Sequence, residues 1–313
     1  MVRVRDRQPG KNMKTTALHD LKRQIAAEVD SIHMELIDLS LRLHGEPEVG
    51  FQEEKASALL TSYLEGKGFT VERGICDLPT AFRATYGRGN PAIAFLAEYD
   101  ALPKLGHACG HNLIAASSVG AAVAARKALE ATKRGRVMVI GTPAEEVSAA
   151  KAAMAHKGAF DGVNAAMLVH PGSHDSASTR ALACIGPDVE FLGKAAHAAA
   201  RPQDGVNALE ALILSFNAIN ALRQHILGSA RIHGIITSGG EAPNIVPAYA
   251  AGSFLVRAED FVYLEILKER VLQCFQGAAQ ATGAQLRYRW ADIAYAPMRA
   301  NHPLASLFAA NVE

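Results

Sequence analysis

The chain has 313 residues, 49% of them hydrophobic and 20% charged, with 32 basic against 31 acidic side chains for a formal charge of +1. That length supplies core material for two domains, and the balanced charge leaves no electrostatic footprint for nucleic acid or an anionic membrane. Four widely spaced cysteines (Cys76, Cys109, Cys184, Cys274) and the lack of any apolar run of transmembrane length point to free thiols in a reducing compartment, the cytoplasm.

In chain order, residues 1–15 read as a disordered basic tail, with Arg3, Arg5, Arg7 and Lys11 around Pro9-Gly10 and no apolar core of a signal peptide. Helical spacing from Leu18 to Leu43 predicts a long amphipathic helix, ended by the breakers His44-Gly45-Glu46-Pro47. A second helix is predicted over Glu53–Lys67 and stopped by Gly68. Strand character follows at Phe69–Arg73, Ala81–Tyr86, Ala92–Ala97, Arg136–Ile140 and Ala165–Val169, with helices at Leu113–Ala131 and Ala149–Lys157. Gly87-Arg88-Gly89-Asn90 lacks the glycine pattern of a nucleotide loop and reads as a hairpin turn. Alternation of this kind argues for a partly parallel sheet covered on both faces. After Gly186 the order becomes strand (Val189–Gly193), helix (Val206–His225), strand (Arg231–Ile236), strand (Tyr249–Arg257), helix (Tyr263–Ala281) and strand (Gln285–Trp290). That βαββαβ order is the split arrangement of a ferredoxin-like domain.

Ligands of open α/β sheets collect beyond the carboxyl ends of the strands. Asp100, Glu145, Glu146 and His170 fall at such ends, and Cys109 and His111 lie in the loop after one. Taken singly, a cysteine is a small buried hydrophobe and two adjacent glutamates are solvated surface. Gathered at three successive strand ends they make a transition-metal site of thiolate, imidazole and carboxylate, suited to Zn²⁺, Mn²⁺ or Co²⁺. Neighbouring Glu145 and Glu146 point opposite ways on an extended segment, so one can serve as ligand and the other as base. His19, His33, His44, His156, His225 and His233 have helical or solvent-facing contexts, and Cys76, Cys184 and Cys274 read as packing residues.

Four runs, Ala97-Glu98-Tyr99-Asp100-Ala101-Leu102-Pro103, His107-Ala108-Cys109-Gly110-His111-Asn112, Gly141-Thr142-Pro143-Ala144-Glu145-Glu146 and His170-Pro171-Gly172, resemble the dinuclear-metal amidohydrolase family of aminoacylase, carboxypeptidase G and the auxin-conjugate hydrolases. Gly193-Lys194-Ala195-Ala196-His197-Ala198 and Ala242-Pro243-Asn244-Ile245-Val246-Pro247 extend the resemblance from about residue 30 to the last residue. Within the family it points to aminobenzoyl-glutamate amidohydrolases and related dipeptidases. The fold it implies is α/β: a zinc-peptidase-like three-layer catalytic domain with an inserted ferredoxin-like (βαββαβ) lid and dimerisation domain. Its boundaries are then 16–187 for the first part of the catalytic domain, 188–293 for the insertion and 294–313 for the start of the return.

The same resemblance makes Cys109, His111, Glu146 and His170 ligands of two divalent ions (Zn²⁺ or Mn²⁺) and Glu145 the general base, with Asp100 orienting a ligand histidine. It gives His197 the role of stabilising an oxyanion across a homodimer, and Asn244 and Arg257 contacts to a substrate carboxylate. The substrate implied is an N-acyl or N-aroyl amino acid or a small dipeptide. In the family a final histidine ligand follows downstream of the inserted domain. The chain stops at Glu313 before that point, and His302 is outside the motif, so a C-terminally truncated chain is expected. The alternative is an inactive metal-binding or dimerisation fragment. A thiol redox enzyme using Cys109 would need a resolving cysteine close by in sequence.

Overall fold

The computed structural model describes residues 9–147 and 150–312, with side chains from residue 17 onward. The chain divides into two compact units, Met1–Ser173 and His174–Glu313. In the first, helices α1 (Pro9–Gly45) and α2 (Glu54–Gly66) precede strands β1 (Thr70–Arg73), β2 (Phe82–Arg88) and β3 (Ala92–Ala97). Helix α3 (His111–Thr132), strand β4 (Gly135–Gly141), helix α4 (Ala150–His156) and strand β5 (Ala165–Met167) follow. Residues 1–8 of the expected basic tail, and Ser148 and Ala149 of the predicted fourth helix, lie outside the described residues. Residues 9–15 are helical rather than tail and form the first described part of α1.

The first sheet has the order β1-β2-β4-β3-β5. Strand β3 runs parallel to β4 and β5, and β2 is antiparallel to β4 and β1. The expected hairpin at 87–90 is not one. Strands β2 and β3 flank β4 on opposite sides, Arg88 opposite Gly135 and Ala92 opposite Arg136, so the turn passes over the start of β4. Alternation along β4 explains the layers. Val137 and Val139 join Leu60, Val119 and Val123 of α2 and α3 in one core. Met138 and Ile140 join Met154 of α4 and Ala159 on the opposite face. Covered on both faces, β4 reads as a continuous apolar run, and each such buried Val or Ile contributes roughly 1.5–3 kcal/mol of hydrophobic stabilisation.

The second unit carries β6 (Ala183–Ile185), β7 (Pro187–Leu192), α5 (Ala208–Leu222), β8 (Arg231–Ser238), β9 (Tyr249–Ala258), α6 (Phe261–Thr282), β10 (Gln285–Trp290) and α7 (His302–Val312). Its antiparallel sheet runs β10-β7-β9, with β8 and β6 also on β9. This is the ferredoxin-like order expected from βαββαβ, with α5 and α6 packed on it: Leu212 and Ile219 meet Leu264, Val271 and Phe275 over Val189, Phe191 and Phe254. Asn207 and Asp260 cap the two helices by accepting from the N–H groups of Glu210 and Tyr263, at 3.1 Å and 2.8 Å.

Residues 174–187 and 294–312, expected with the catalytic domain, fold within this second unit. The reason is backbone pairing: β6 pairs with the end of β9, and Cys184 and Tyr295 exchange both main-chain hydrogen bonds, 3.1 Å and 2.8 Å. Among the described residues no helix is long and apolar enough to cross a membrane.

Candidate metal centre

Because β3, β4 and β5 are parallel, their carboxyl ends lie at one edge of the first sheet. The segment after β3 brings Glu98 and Asp100, the α3 N-terminus brings Cys109 and His111, the turn after β4 brings Glu145 and Glu146, and His170 follows β5. Gly110 makes the α3 entry possible. Its φ of +83° is left-handed, and a Cβ there would lie 2.9 Å from Pro171 Cγ, beside His170.

The ligand atoms of Cys109, His111 and His170 lie within 4.8 Å of one another, and so do those of His111, Glu145 and Glu146. His111 is common to both groups, so the two sets share one imidazole. His170 donates from Nδ1 to the Pro171 carbonyl at 2.8 Å, which leaves Nε2 facing the Cys109 thiol at 3.6 Å. His111 is fully buried and donates from Nδ1 to Asp100 Oδ1 at 2.9 Å, so its Nε2 carries the lone pair. Asp100 Oδ2 accepts from the Glu146 N–H at 2.9 Å, so one carboxylate fixes both the imidazole and the glutamate turn.

His111 Nε2 faces Glu98 Oε2 at 3.5 Å and Glu146 Oε1 at 3.7 Å. All three atoms are buried without a hydrogen-bond partner among the described residues. Three acceptors turned on one another inside a protein repel unless a proton or a cation lies among them. Burial alone would push His111 down, but the Asp100 hydrogen bond and the charges of Glu98, Asp100 and Glu146 hold the imidazole above its ordinary value. Burial, the hydrogen bond to Glu146 and the surrounding carboxylates push the Cys109 thiol up to about 12. Burial also lifts Glu145 above the ordinary glutamate value, with Lys151 pulling the other way. An acceptor-rich, anion-rich pocket of thiol, imidazole and carboxylate fits a divalent transition metal.

Two acids escape sequence reasoning. Glu98 is 4% exposed, and its second oxygen is held by the Lys151 ammonium. Its signal is the Glu98-Tyr99-Asp100 spacing, which puts both carboxylates on one side of an extended segment. Glu53, 0% exposed, precedes α2 without capping it. It reaches instead to the Ala144 N–H at 2.8 Å and the Thr80 hydroxyl at 2.9 Å. Ala144 has a left-handed φ of +56°, and Gly50 leaves room beneath it, a Cβ there falling 3.0 Å from Ala144 Cα and 2.3 Å from Val147 Cγ2. Glu53 therefore clamps the strained residue that aims Glu145.

Removing that clamp with Glu53→Ala leaves two buried donors unpaired, and thermal or urea unfolding is expected to show a loss of about 1–3 kcal/mol for each of them. Glu53→Gln keeps an acceptor for Ala144 and is expected to cost less. Burial raises the Glu53 carboxyl above its ordinary value. Its contribution is therefore full below the unfolded pKa and falls as pH rises through the folded one, so Glu53→Gln compares better with the parent at pH 7 than at pH 4.

The remaining sequence-predicted residues lie in the second unit. His197 is exposed, pairs in a β-bridge with Ile245, and accepts at Nδ1 from the N–H groups of Ala199 and Ala200 at 3.3 Å and 3.2 Å. Asn244 is next to it, its carbonyl accepting from the Ala198 N–H at 3.0 Å. Arg257 is separate from them along β9, opposite Cys184 and Arg231.

The pattern of the family described as Peptidase dimerisation domain matches residues 185–282. The chain is 39% identical over 292 residues to the Xaa-Arg dipeptidase of Mus musculus, covering 89% of this chain and 68% of that protein. It is 36% identical over 304 residues to one of the two p-aminobenzoyl-glutamate hydrolase polypeptides of Escherichia coli (strain K12), covering 90% and 63%. The chain thus spans about two thirds of these relatives' length. Among solved structures, an aminobenzoyl-glutamate utilization protein from Klebsiella pneumoniae superposes with a TM-score of 0.75 at 23% identity, covering 90% of this chain and 81% of that one. A dinuclear metal binding peptidase of the M20 family from Bacillus subtilis does so with a TM-score of 0.64 at 24% identity and the same coverage. These likenesses agree with the α/β first unit and the ferredoxin-like second unit: the chain belongs to the M20 family of dinuclear-metal peptidases and amidohydrolases.

Proposed function

We propose that this chain is a metal-dependent hydrolase of the amide bond in N-acyl or N-aroyl amino acids or small dipeptides, in the manner of an aminobenzoyl-glutamate hydrolase or a dipeptidase. The observation that carries the reading is buried His111, fixed by Asp100 and gathered with Cys109, His170, Glu145 and Glu146. Cys109, His111, Glu146 and His170 would hold two divalent ions, Zn²⁺ or Mn²⁺. Such ions supply Lewis-acid polarisation of the amide carbonyl and ease ionisation of water.

Glu145, kept above the ordinary glutamate value by burial, takes the proton of the attacking water and delivers it to the departing amine nitrogen. Asp100 holds His111 in the Nδ1–H form. We assign the first unit to catalysis and the second to closure and homodimerisation, with His197 of a second copy stabilising the developing oxyanion and Asn244 and Arg257 receiving the substrate carboxylate. The free thiols of the four cysteines suit the cytoplasm. The test is to assay the purified chain with Zn²⁺ or Mn²⁺ against aminobenzoyl-glutamate, several acyl amino acids and dipeptides ending in arginine. Metal-dependent release of free amine is expected. Saturable ion binding without turnover of any of these substrates contradicts the enzymatic reading and favours a binding or dimerisation module.

A further inference from the structure

Asp100 and Glu98 bracket the His111 ring, one at each nitrogen. Asp100 accepts from Nδ1–H at 2.9 Å, and Glu98 Oε2 faces bare Nε2 at 3.5 Å. The Glu98 side chain is 5% exposed, and Oε2 has no hydrogen-bond partner among the described residues. A surface ion pair does not account for this geometry, because only the other oxygen meets the Lys151 ammonium. Nor does a cap or a turn, since no described backbone N–H reaches Oε2. What an isolated, buried carboxylate oxygen needs when aimed at an imidazole lone pair is positive charge between them.

Resting on the metal reading of this site, we propose that Glu98 is a further carboxylate of the metal centre, on the Nε2 side of His111, and that Lys151 is its counter-ion. Lys151 comes from α4 and is 27% exposed. It also lies close enough to act on the charge of Glu145. The ammonium balances Glu98 when no divalent ion is present, and its charge opposes an arriving cation. The carboxylate that helps bind the metal and the lysine that resists it are therefore a matched pair, and their substitutions act in opposite directions.

The experiment is calorimetric titration of the full 313-residue chain with Zn²⁺ and, separately, Mn²⁺, alongside Glu98→Gln, Glu98→Asp, Lys151→Met and His111→Ala, each checked for folding by thermal melting. Glu98→Gln is expected to weaken binding by about 10–100-fold, the cost of losing a supporting carboxylate. Glu98→Asp keeps the charge and falls between, which covers the case in which the glutamine variant does not fold. Lys151→Met is expected to bind at least as tightly as the parent chain. Because both Glu98→Gln and Lys151→Met break the ion pair, equal weakening in the two makes it a structural bridge and overturns the proposal. Parent-like binding by Glu98→Gln beside weakened binding by His111→Ala keeps the metal centre and removes Glu98 from it. No saturable binding by the parent chain removes both.

Discussion

Replacing Glu145 by Gln is expected to lower kcat by about 10²–10⁴-fold, the range for losing a positioned general base, while divalent-ion binding persists. Gln is nearly isosteric and still accepts at its carbonyl oxygen, so the turn after β4 keeps its shape. What it cannot do is take and return a proton. The turn has independent support, with Asp100 on the Glu146 N–H at 2.9 Å and Glu53 on the Ala144 N–H at 2.8 Å. Kinetics and ion titration on one preparation check the result. A variant that loses the ion together with activity would make Glu145 a ligand, and one with near-parent turnover would end the general-base role. Burial lifts the Glu145 carboxyl above the ordinary value of 4.5. That direction belongs to the metal-free pocket, and divalent ions bound beside Glu145 pull its carboxyl the other way.

Asp100→Asn is expected to weaken divalent-ion binding by about 10–100-fold, as loss of a carboxylate behind a metal-bound histidine does. Asp100 receives two donors, His111 Nδ1–H and the Glu146 N–H. Asparagine has one acceptor oxygen, so in either orientation its NH₂ faces a donor and one buried group goes unsatisfied, at a cost of about 1–3 kcal/mol. The negative charge that makes His111 Nε2 a better ligand is lost as well. Burial works against the Asp100 carboxylate, but the His111 hydrogen bond and the Glu146 N–H outweigh it and hold its pKa below the ordinary value. Its contribution is therefore present above the unfolded pKa and lost as pH falls through the folded one. Melting of the two proteins should differ most at neutral pH and converge in acid. A constant gap across that range would show that the carboxylate charge is not what matters.

The candidate cluster was legible because it falls at strand ends, and strand ends are marked by where apolar runs stop. Cys109, His111, Glu145, Glu146 and His170 could be gathered in that way before any contact was known. The ferredoxin-like order was legible for a similar reason, since its strands and helices are long enough to show their periods. Glu53 was not legible. It precedes α2 where an acid would cap, and only tertiary packing turns it toward Ala144 and Thr80. Glu98 was visible in a motif but not as a site residue, because sequence cannot show which oxygen lacks a partner. The allegiance of residues 174–187 also escaped: β6 has three residues, too few for a period, and belongs to the second unit only through pairing with β9. The turn at 87–90 misled because glycines next to strands suggest a hairpin, whereas the partner of both strands is β4, nearly fifty residues later in the chain.

His111, held by Asp100 in the Nδ1–H form, would bind one ion through Nε2 beside Cys109, Glu146 and His170 in the first unit. An anomalous difference map from crystals grown with Zn²⁺ or Mn²⁺ tests it most directly. The expected result is density at about 2.0–2.3 Å from His111 Nε2 and Cys109 Sγ, the range for zinc–nitrogen and zinc–sulfur bonds, with Glu146 and His170 completing the surroundings. An empty site at saturating metal, or density confined to residues elsewhere in the molecule, would contradict it.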